Sequence, residues 1–218
     1  SFKQALKTGL QALDPEQFEA AANREEALVL DVRDKKDFVK GFIPNSIFIG
    51  IDGGFAPWAG ALIPKLDRPI LIVAPRGREE ETVTRLARVG FDHVIGYLDT
   101  DMEGWKTSGR ELDRVDTVSA LEFGQKDMAM EGATVLDLRK PGEWEGGHLS
   151  YAVNQPLDYL NDSMAELDPD HTYYLHCRSG YRSTIAASIL KARGFDRLIN
   201  IQDKVDDILA TESSATIV

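Results

Sequence analysis

Asp137-Leu138-Arg139, followed by Glu143-Trp144 and Gly147-His148-Leu149, repeats at unchanged internal spacing a stretch lying a little over 100 residues earlier: Asp31-Val32-Arg33, Asp37-Phe38, Gly41-Phe42-Ile43. A second pair of blocks recurs in the same order at nearly the same offset. Leu86-Ala87-Arg88-Val89-Gly90-Phe91-Asp92 is echoed by Leu190-Lys191-Ala192-Arg193-Gly194-Phe195-Asp196. Self-similarity at a fixed offset marks a duplicated unit. A chain of 218 residues has room for two domains of roughly 100 residues each.

Outward from these blocks, each copy alternates strand and helix signals. In the first, Asp14-Pro15-Glu16-Gln17 reads as a helix N-cap with Pro at the first helical position. Residues 27–32, 46–49, 69–74 and 93–98 are short apolar strands, and 34–40 and 79–89 are helices stopped by Gly41 and Gly90. The second copy predicts a helix over 119–126 with Ser119 and Glu122 as a capping box. Strands follow at 133–138, 172–176 and 197–201, with a helix over 183–193. Short buried strands alternating with helices imply an α/β fold, each domain a central parallel sheet flanked by helices on both faces. The polar, Gly-containing stretch 107–116 is the natural connection. It divides the chain into 1–108, a linker at 109–116, and 117–218. The tail 211–218 reads as surface or disordered.

Composition narrows the function. The net charge of −11 argues against a nucleic-acid partner, because neutralising phosphates needs clustered Lys and Arg. No apolar run approaches the roughly 20 residues of a membrane span. A single cysteine excludes an internal disulfide framework and fits a reducing cytoplasm. The start at Ser1 lacks both a signal-peptide pattern and an initiator Met, and suggests a piece excised from a longer polypeptide. The four histidines are scattered and show no metal-ligand spacing, and no G-x-G-x-x-G or P-loop occurs, so neither metal nor cofactor is expected.

The chemistry lies in the second copy. Tyr173-Tyr174-Leu175-His176 is followed by Cys177-Arg178-Ser179-Gly180-Tyr181-Arg182 and then Ser183-Thr184-Ile185: an apolar strand, a tight loop with one Gly, a helix. The cysteine falls at the carboxyl end of a parallel strand, where open α/β sheets bind ligands. Loop amides and the helix N-terminus stabilise a thiolate there, and Arg178 and Arg182 add two positive charges. Residues 171–195 contain no Asp or Glu, although 36 acids among 218 residues would place about four there by chance. A basic segment in an acidic protein suits an anionic substrate. A lone intracellular Cys is more often a small buried hydrophobe, but here the Arg pair, the Gly and the strand–loop–helix context favour a nucleophile.

Asp137-Leu138-Arg139, Glu143-Trp144, Gly147-His148-Leu149 and the loop from Cys177 to Arg182 together resemble the rhodanese (sulfurtransferase) pattern, which covers nearly the whole chain as two copies. The resemblance implies two rhodanese-like domains. It also implies a Cys that takes the outer sulfur of a donor as a persulfide and passes it to a nucleophilic acceptor. Carried over, Cys177 is the nucleophile, the backbone amides of Arg178, Ser179, Gly180, Tyr181, Arg182 and Ser183 form an anion cradle, and Arg178 and Arg182 orient the donor. The partners implied are a small anionic donor, thiosulfate or a low-molecular-weight persulfide, and a thiol or cyanide-like acceptor. The arrangement also resembles the C-terminal part of fusions in which a metallo-β-lactamase-fold persulfide dioxygenase precedes rhodanese domains. That implies an upstream dioxygenase domain in the full-length chain.

Two other classes compete. Cysteine phosphatases place Arg six positions after Cys, whereas Arg182 is five after Cys177, a smaller ring suited to a single sulfur atom. A non-catalytic module could instead carry a persulfide or oxidation state on Cys177 to a partner. Supporting positions have plainer readings. His148 follows Gly147 at a family landmark and reads as a structural hydrogen bond more readily than as a substrate contact. His176 precedes the Cys and could tune it, but alternate strand residues face opposite ways. Asp137 and Arg139 read as a turn-fixing ion pair. The first copy is expected to be catalytically silent: Pro75-Arg76-Gly77-Arg78 lacks a Cys, Glu79-Glu80-Glu81 repels anions, and Phe42 replaces the family's His. After Ile199-Asn200-Ile201 the family usually shows a Gly pair. Here Gln202-Asp203-Lys204 follows, with Asp206 and Asp207, which predicts altered acceptor specificity.

Overall fold

The computed structural model describes residues 2–212, which divide between Arg114 and Val115 into two compact units. Most of the tail expected as surface or disordered, residues 213–218, lies outside the described residues.

The first unit holds strands β1 (Ala12–Leu13), β2 (Leu28–Asp31), β3 (Ile47–Phe48), β4 (Ile70–Val73) and β5 (Val94–Leu98), parallel throughout, in the order β1-β5-β4-β2-β3. Its helices are α1 (Phe2–Gly9), α2 (Pro15–Arg24), α3 (Lys35–Lys40), α4 (Phe55–Leu62), α5 (Glu79–Arg88) and α6 (Met102–Thr107). Every residue of β2 and β4 is buried, as a parallel sheet covered on both faces requires. Val29, Leu71 and Val73 pack on one face against Phe18 and Ala21 of α2 and Trp105 of α6. α2 starts where expected: the Asp14 carboxylate accepts from the Gln17 N–H at 2.8 Å, and the Gln17 side chain accepts from the Asp14 N–H at 3.0 Å. Within the stretch 109–116, Leu112 packs against this core, and Asp113 and Phe42 exchange backbone hydrogen bonds at 2.9 Å.

The second unit repeats the plan with β6 (Asp116–Val118), β7 (Ala133–Asp137), β8 (Val153–Asn154), β9 (Thr172–His176) and β10 (Leu198–Ile201), ordered β6-β10-β9-β7-β8 and again parallel. Its helices are α7 (Ala120–Gly124), α8 (Met128–Glu131), α9 (Pro141–Glu145), α10 (Leu160–Ser163), α11 (Tyr181–Ala192) and α12 (Val205–Leu209). The central α11 buries every residue from Ser183 to Leu190, as a helix covered on all sides does. It starts two residues before the expected 183, because Gly180 at φ +92° turns the chain directly into it. α7 stops at Gly124, and the Ser119 hydroxyl caps it by accepting from the Glu122 N–H at 3.1 Å. The elements absent from the sequence reading (α1, β1, α4, α6, β6, α8, β8, α9, α10 and α12) are two to eight residues long, too short to display a period. No helix among the described residues is long and apolar enough to cross a membrane.

Candidate active site

β9 lies in the middle of its sheet, between β10 and β7, and Cys177 is the first residue beyond its carboxyl end. The chain reverses through Arg178, Ser179 and Gly180 and enters the twelve-residue α11 at Tyr181. The left-handed Gly180, a conformation that costs other residues about 1–2 kcal/mol, aims its own N–H back at the cysteine: Gly180 N to Cys177 Sγ is 3.1 Å. The thiol donates to the Ser183 hydroxyl at 3.6 Å, and that hydroxyl donates to the Gly180 carbonyl at 3.2 Å. Thr184 Oγ1 donates to the same carbonyl at 2.6 Å. The sulfur therefore sits among polar groups at the positive end of α11, although Cys177 is only 1% exposed.

The two loop arginines take different places. Arg182 is engaged on both terminal nitrogens by Glu143, at 2.7 and 2.8 Å. This pairing pulls the Glu143 carboxyl down to about 2 and pushes the guanidinium up. Glu143 also accepts from the Lys140 N–H at 3.0 Å, so it is anchored in the first turn of α9. Arg178 is exposed; its carbonyl accepts from the Val205 N–H at 2.9 Å, and its side chain lines a cleft of about 490 Å³ with Arg139, Glu143, Ser179, Lys204 and Asp206. Segment 171–195 is thus free of acids in sequence but not in space. Removing the Glu143 charge tests how far it restrains Arg182. Glu143→Gln should tighten binding of thiosulfate, used as a probe anion, about tenfold, equivalent to about 1.4 kcal/mol. That is a fraction of the roughly 4 kcal/mol available to unit charges 4 Å apart near a protein surface. Unchanged or weaker binding by calorimetry would show that the pair serves structure alone.

Asp137 and Arg139 form a buried fork beneath the loop. Arg139 Nε lies 2.9 and 3.0 Å from the two carboxylate oxygens and Nη2 lies 2.6 Å from Oδ2, while Nη2 also donates to the Gly147 carbonyl at 2.8 Å. His148 stacks on Trp144 with ring centroids 3.6 Å apart, and its Nδ1 bonds the Trp144 carbonyl at 2.8 Å. The first copy reproduces both arrangements. Arg33 grips Asp31 and donates to the Gly41 carbonyl at 2.8 Å, and Phe42 stacks on Phe38 with centroids 4.2 Å apart. Phe42 keeps the stack but has no ring nitrogen to bond the carbonyl four residues earlier.

His176 is fully buried, and its Nδ1 lies 3.2 Å from the Cys177 carbonyl. A carbonyl can only accept, so Nδ1 carries a proton. Nε2 lies 3.5 Å from Asp137 Oδ2 and forms no hydrogen bond. Burial pushes the imidazole below its ordinary value, against the opposing pull of Asp137. The unfolded chain therefore takes up a proton near pH 6.5 that the folded one resists. The His176 contribution to stability is complete above about pH 6.5 and is lost as pH falls below it. Urea midpoints between pH 7.5 and 5.5 should show this decline, and His176→Gln should flatten it; an unchanged slope would assign the decline to other groups.

Register aligns the two copies. Asp31 pairs with Val73 as Asp137 pairs with His176, so Ala74 occupies in the first unit the place of Cys177 in the second. The loop after β4 is closed by Arg78, which binds Asp52 at 2.7 Å and Glu81 at 2.9 Å. The departure at Gln202-Asp203-Lys204 also has a visible consequence: Asp203 Oδ2 accepts from the Ala120 N–H at 2.6 Å and holds the start of α7.

The loop from Cys177 to Ser183 follows the end of β9, as its sequence predicts, and Lys204 and Asp206, tied by sequence to acceptor specificity, line the cleft beside Arg178. Glu143 and Val205 were not among the expected site residues. Glu143 was recognisable as part of the repeated block, opposite Asp37, whereas Val205 carried only its proximity to the missing Gly pair. Among the described residues, no cluster of three or more His, Cys, Asp or Glu is arranged to hold a metal ion.

The family model for the rhodanese-like domain matches residues 14–108 and 123–207. A putative sulfur carrier protein of Bacillus subtilis is 31% identical over 115 residues, covering 48% of this chain and 62% of that protein. A thiosulfate sulfurtransferase of Stutzerimonas stutzeri is 31% identical over 74 residues, covering 34% of this chain and 68% of that protein. The chain spans less than two thirds of the length of several of the curated relatives it matches. Among solved structures, a thiosulfate sulfurtransferase from Pseudomonas aeruginosa aligns over 95% of this chain and 46% of its own, at 18% identity and a TM-score of 0.41.

Proposed function

We propose, starting from the fact that this chain belongs to the rhodanese-like family through both of its halves, that the second unit is a sulfurtransferase working through a Cys177 persulfide and that the first unit is catalytically silent. One observation carries this reading: the Gly180 N–H meets the Cys177 sulfur at 3.1 Å, at the N-terminal end of a buried helix. That position favours negative charge on sulfur, which the nucleophile needs. With thiosulfate, the thiolate attacks the outer sulfur, a Cys177 S–S bond forms, and the donor's S–S bond breaks with its electron pair leaving on sulfite. An acceptor such as cyanide or a thiol then attacks the bound sulfur and regenerates the thiolate. Arg178, on the open side of the loop, is the cation available to steer an anionic donor. Arg182, paired with Glu143, holds the loop and adds positive potential near the sulfur. In the first unit Ala74 leaves no thiol to load.

The test is turnover. With thiosulfate and cyanide, thiocyanate should accumulate at a steady rate, and intact-mass analysis without acceptor should show one added sulfur atom. A single stoichiometric loading followed by no turnover with any acceptor would make the protein a persulfide carrier or sensor. Release of phosphate from an aryl phosphate would replace sulfur transfer with phosphatase chemistry.

A further inference from the structure

Two of the charged pairs around the cleft lined by Arg178 and Ser179, the residues that follow Cys177, are already matched. Arg139 is bound to Asp137, and Glu143 is bound to Arg182. That leaves Arg178, Lys204 and Asp206, for which no ion pair exists among the described residues. The Val205 N–H, donating to the Arg178 carbonyl at 2.9 Å, fastens the loop after β9 to the start of α12 and brings these three side by side. All three are exposed. The cleft, about 490 Å³, falls within the roughly 300–1,000 Å³ of sites that take drug-sized ligands, far more than a five-atom anion fills. A simple dianion would be drawn by Arg178 and Lys204 and repelled by Asp206. A donor bearing an ammonium group as well as carboxylates would satisfy all three.

We infer that Lys204 and Asp206 form, with Arg178, a zwitterion subsite, and that the donor is the persulfide of an amino-acid-derived thiol carrying carboxylate and ammonium groups. This rests on the sulfurtransfer reading above and specifies its donor. Arg178 and Lys204 receive carboxylates, Asp206 receives the ammonium, and the persulfide's outer sulfur is directed at Cys177. The thiolate attacks that outer sulfur, the new S–S bond forms on Cys177, and the donor's S–S bond breaks. The electron pair leaves on the donor's inner sulfur, which takes a proton and departs as the free thiol. No oxidant or reductant enters. Lys204 and Asp206 are specificity-determining residues, placed there by the start of α12.

Loading of Cys177 is followed by mass spectrometry on the full chain with three probes: glutathione persulfide (carboxylates and ammonium), mercaptopropionate persulfide (carboxylate only) and mercaptoethanol persulfide (uncharged). In the wild type, kcat/KM should be highest for glutathione persulfide. Lys204→Gln should lower the ratio of glutathione to mercaptoethanol persulfide about tenfold. Asp206→Asn should lower the ratio of glutathione to mercaptopropionate persulfide by a similar factor. Both side chains are exposed, so the variants should fold; circular dichroism checks this. Ratios that stay within twofold in both variants overturn the subsite while leaving sulfur transfer intact. Loading by thiosulfate but by none of the three persulfides also overturns the subsite, and loading by no donor, thiosulfate included, removes both.

Discussion

Cys177→Ser should abolish sulfur loading and thiocyanate release while leaving the fold unchanged. The side chain is 1% exposed and its sulfur is held by the Gly180 N–H and the Ser183 hydroxyl. A serine oxygen is close in size and can accept and donate in the same two directions, so packing and the loop survive. What disappears is the nucleophile, because a neutral hydroxyl without an adjacent general base attacks sulfur poorly. The nearest imidazole, His176, bonds the Cys177 carbonyl through Nδ1. Since Cys177 is the chain's one cysteine, no second thiol can substitute. Intact-mass analysis should show no added sulfur from any donor, and the thiocyanate rate should fall to the background of free thiosulfate and cyanide. Residual activity above about one part in 10³ would move the chemistry off this residue, since the loss of a covalent nucleophile normally costs more than that.

The second large effect is on stability. Asp137→Asn should destabilise the second unit by about 3–5 kcal/mol, the usual penalty for removing one partner of a buried ion pair. Arg139 is 5% exposed and takes its countercharge from Asp137 at 2.6 Å; with Asn there the buried guanidinium keeps neutral oxygens, the Gly147 carbonyl among them, but loses its countercharge. The loss is a large fraction of the roughly 5–15 kcal/mol that keeps a domain folded. Asp31→Asn is the internal control: Arg33 is less buried, at 16% side-chain exposure against 6% for Arg139, so water can solvate it and the loss should be smaller. Hydrogen exchange of β7 and β9 in urea, compared with β2 and β4, reads the two units separately. Equal losses in the two units would show that burial of the guanidinium does not set the cost.

What the sequence by itself determined was what recurs or alternates. Two copies of Asp-x-Arg, the Gly after the short helix, and apolar runs of four to five residues lead to two parallel sheets without any tertiary information, because burial on both faces forces such runs. The cysteine at a strand end, the Gly after it and the acid-free helix were equally local, and they located the proposed nucleophile and its loop. Only the tertiary structure decided which charges meet. Glu143 lies 39 residues from the Arg182 it holds, and Val205 lies 27 residues from the carbonyl of Arg178. A linear count of acids cannot see an acid that arrives from another strand end. The exchange of His148 for Phe42 likewise acquired its packing explanation only when both were seen stacked on the aromatic ring four residues earlier. Periodicity and local chemistry are written along the chain, whereas the electrostatic partners of an active site are chosen by the register of strands far apart in sequence.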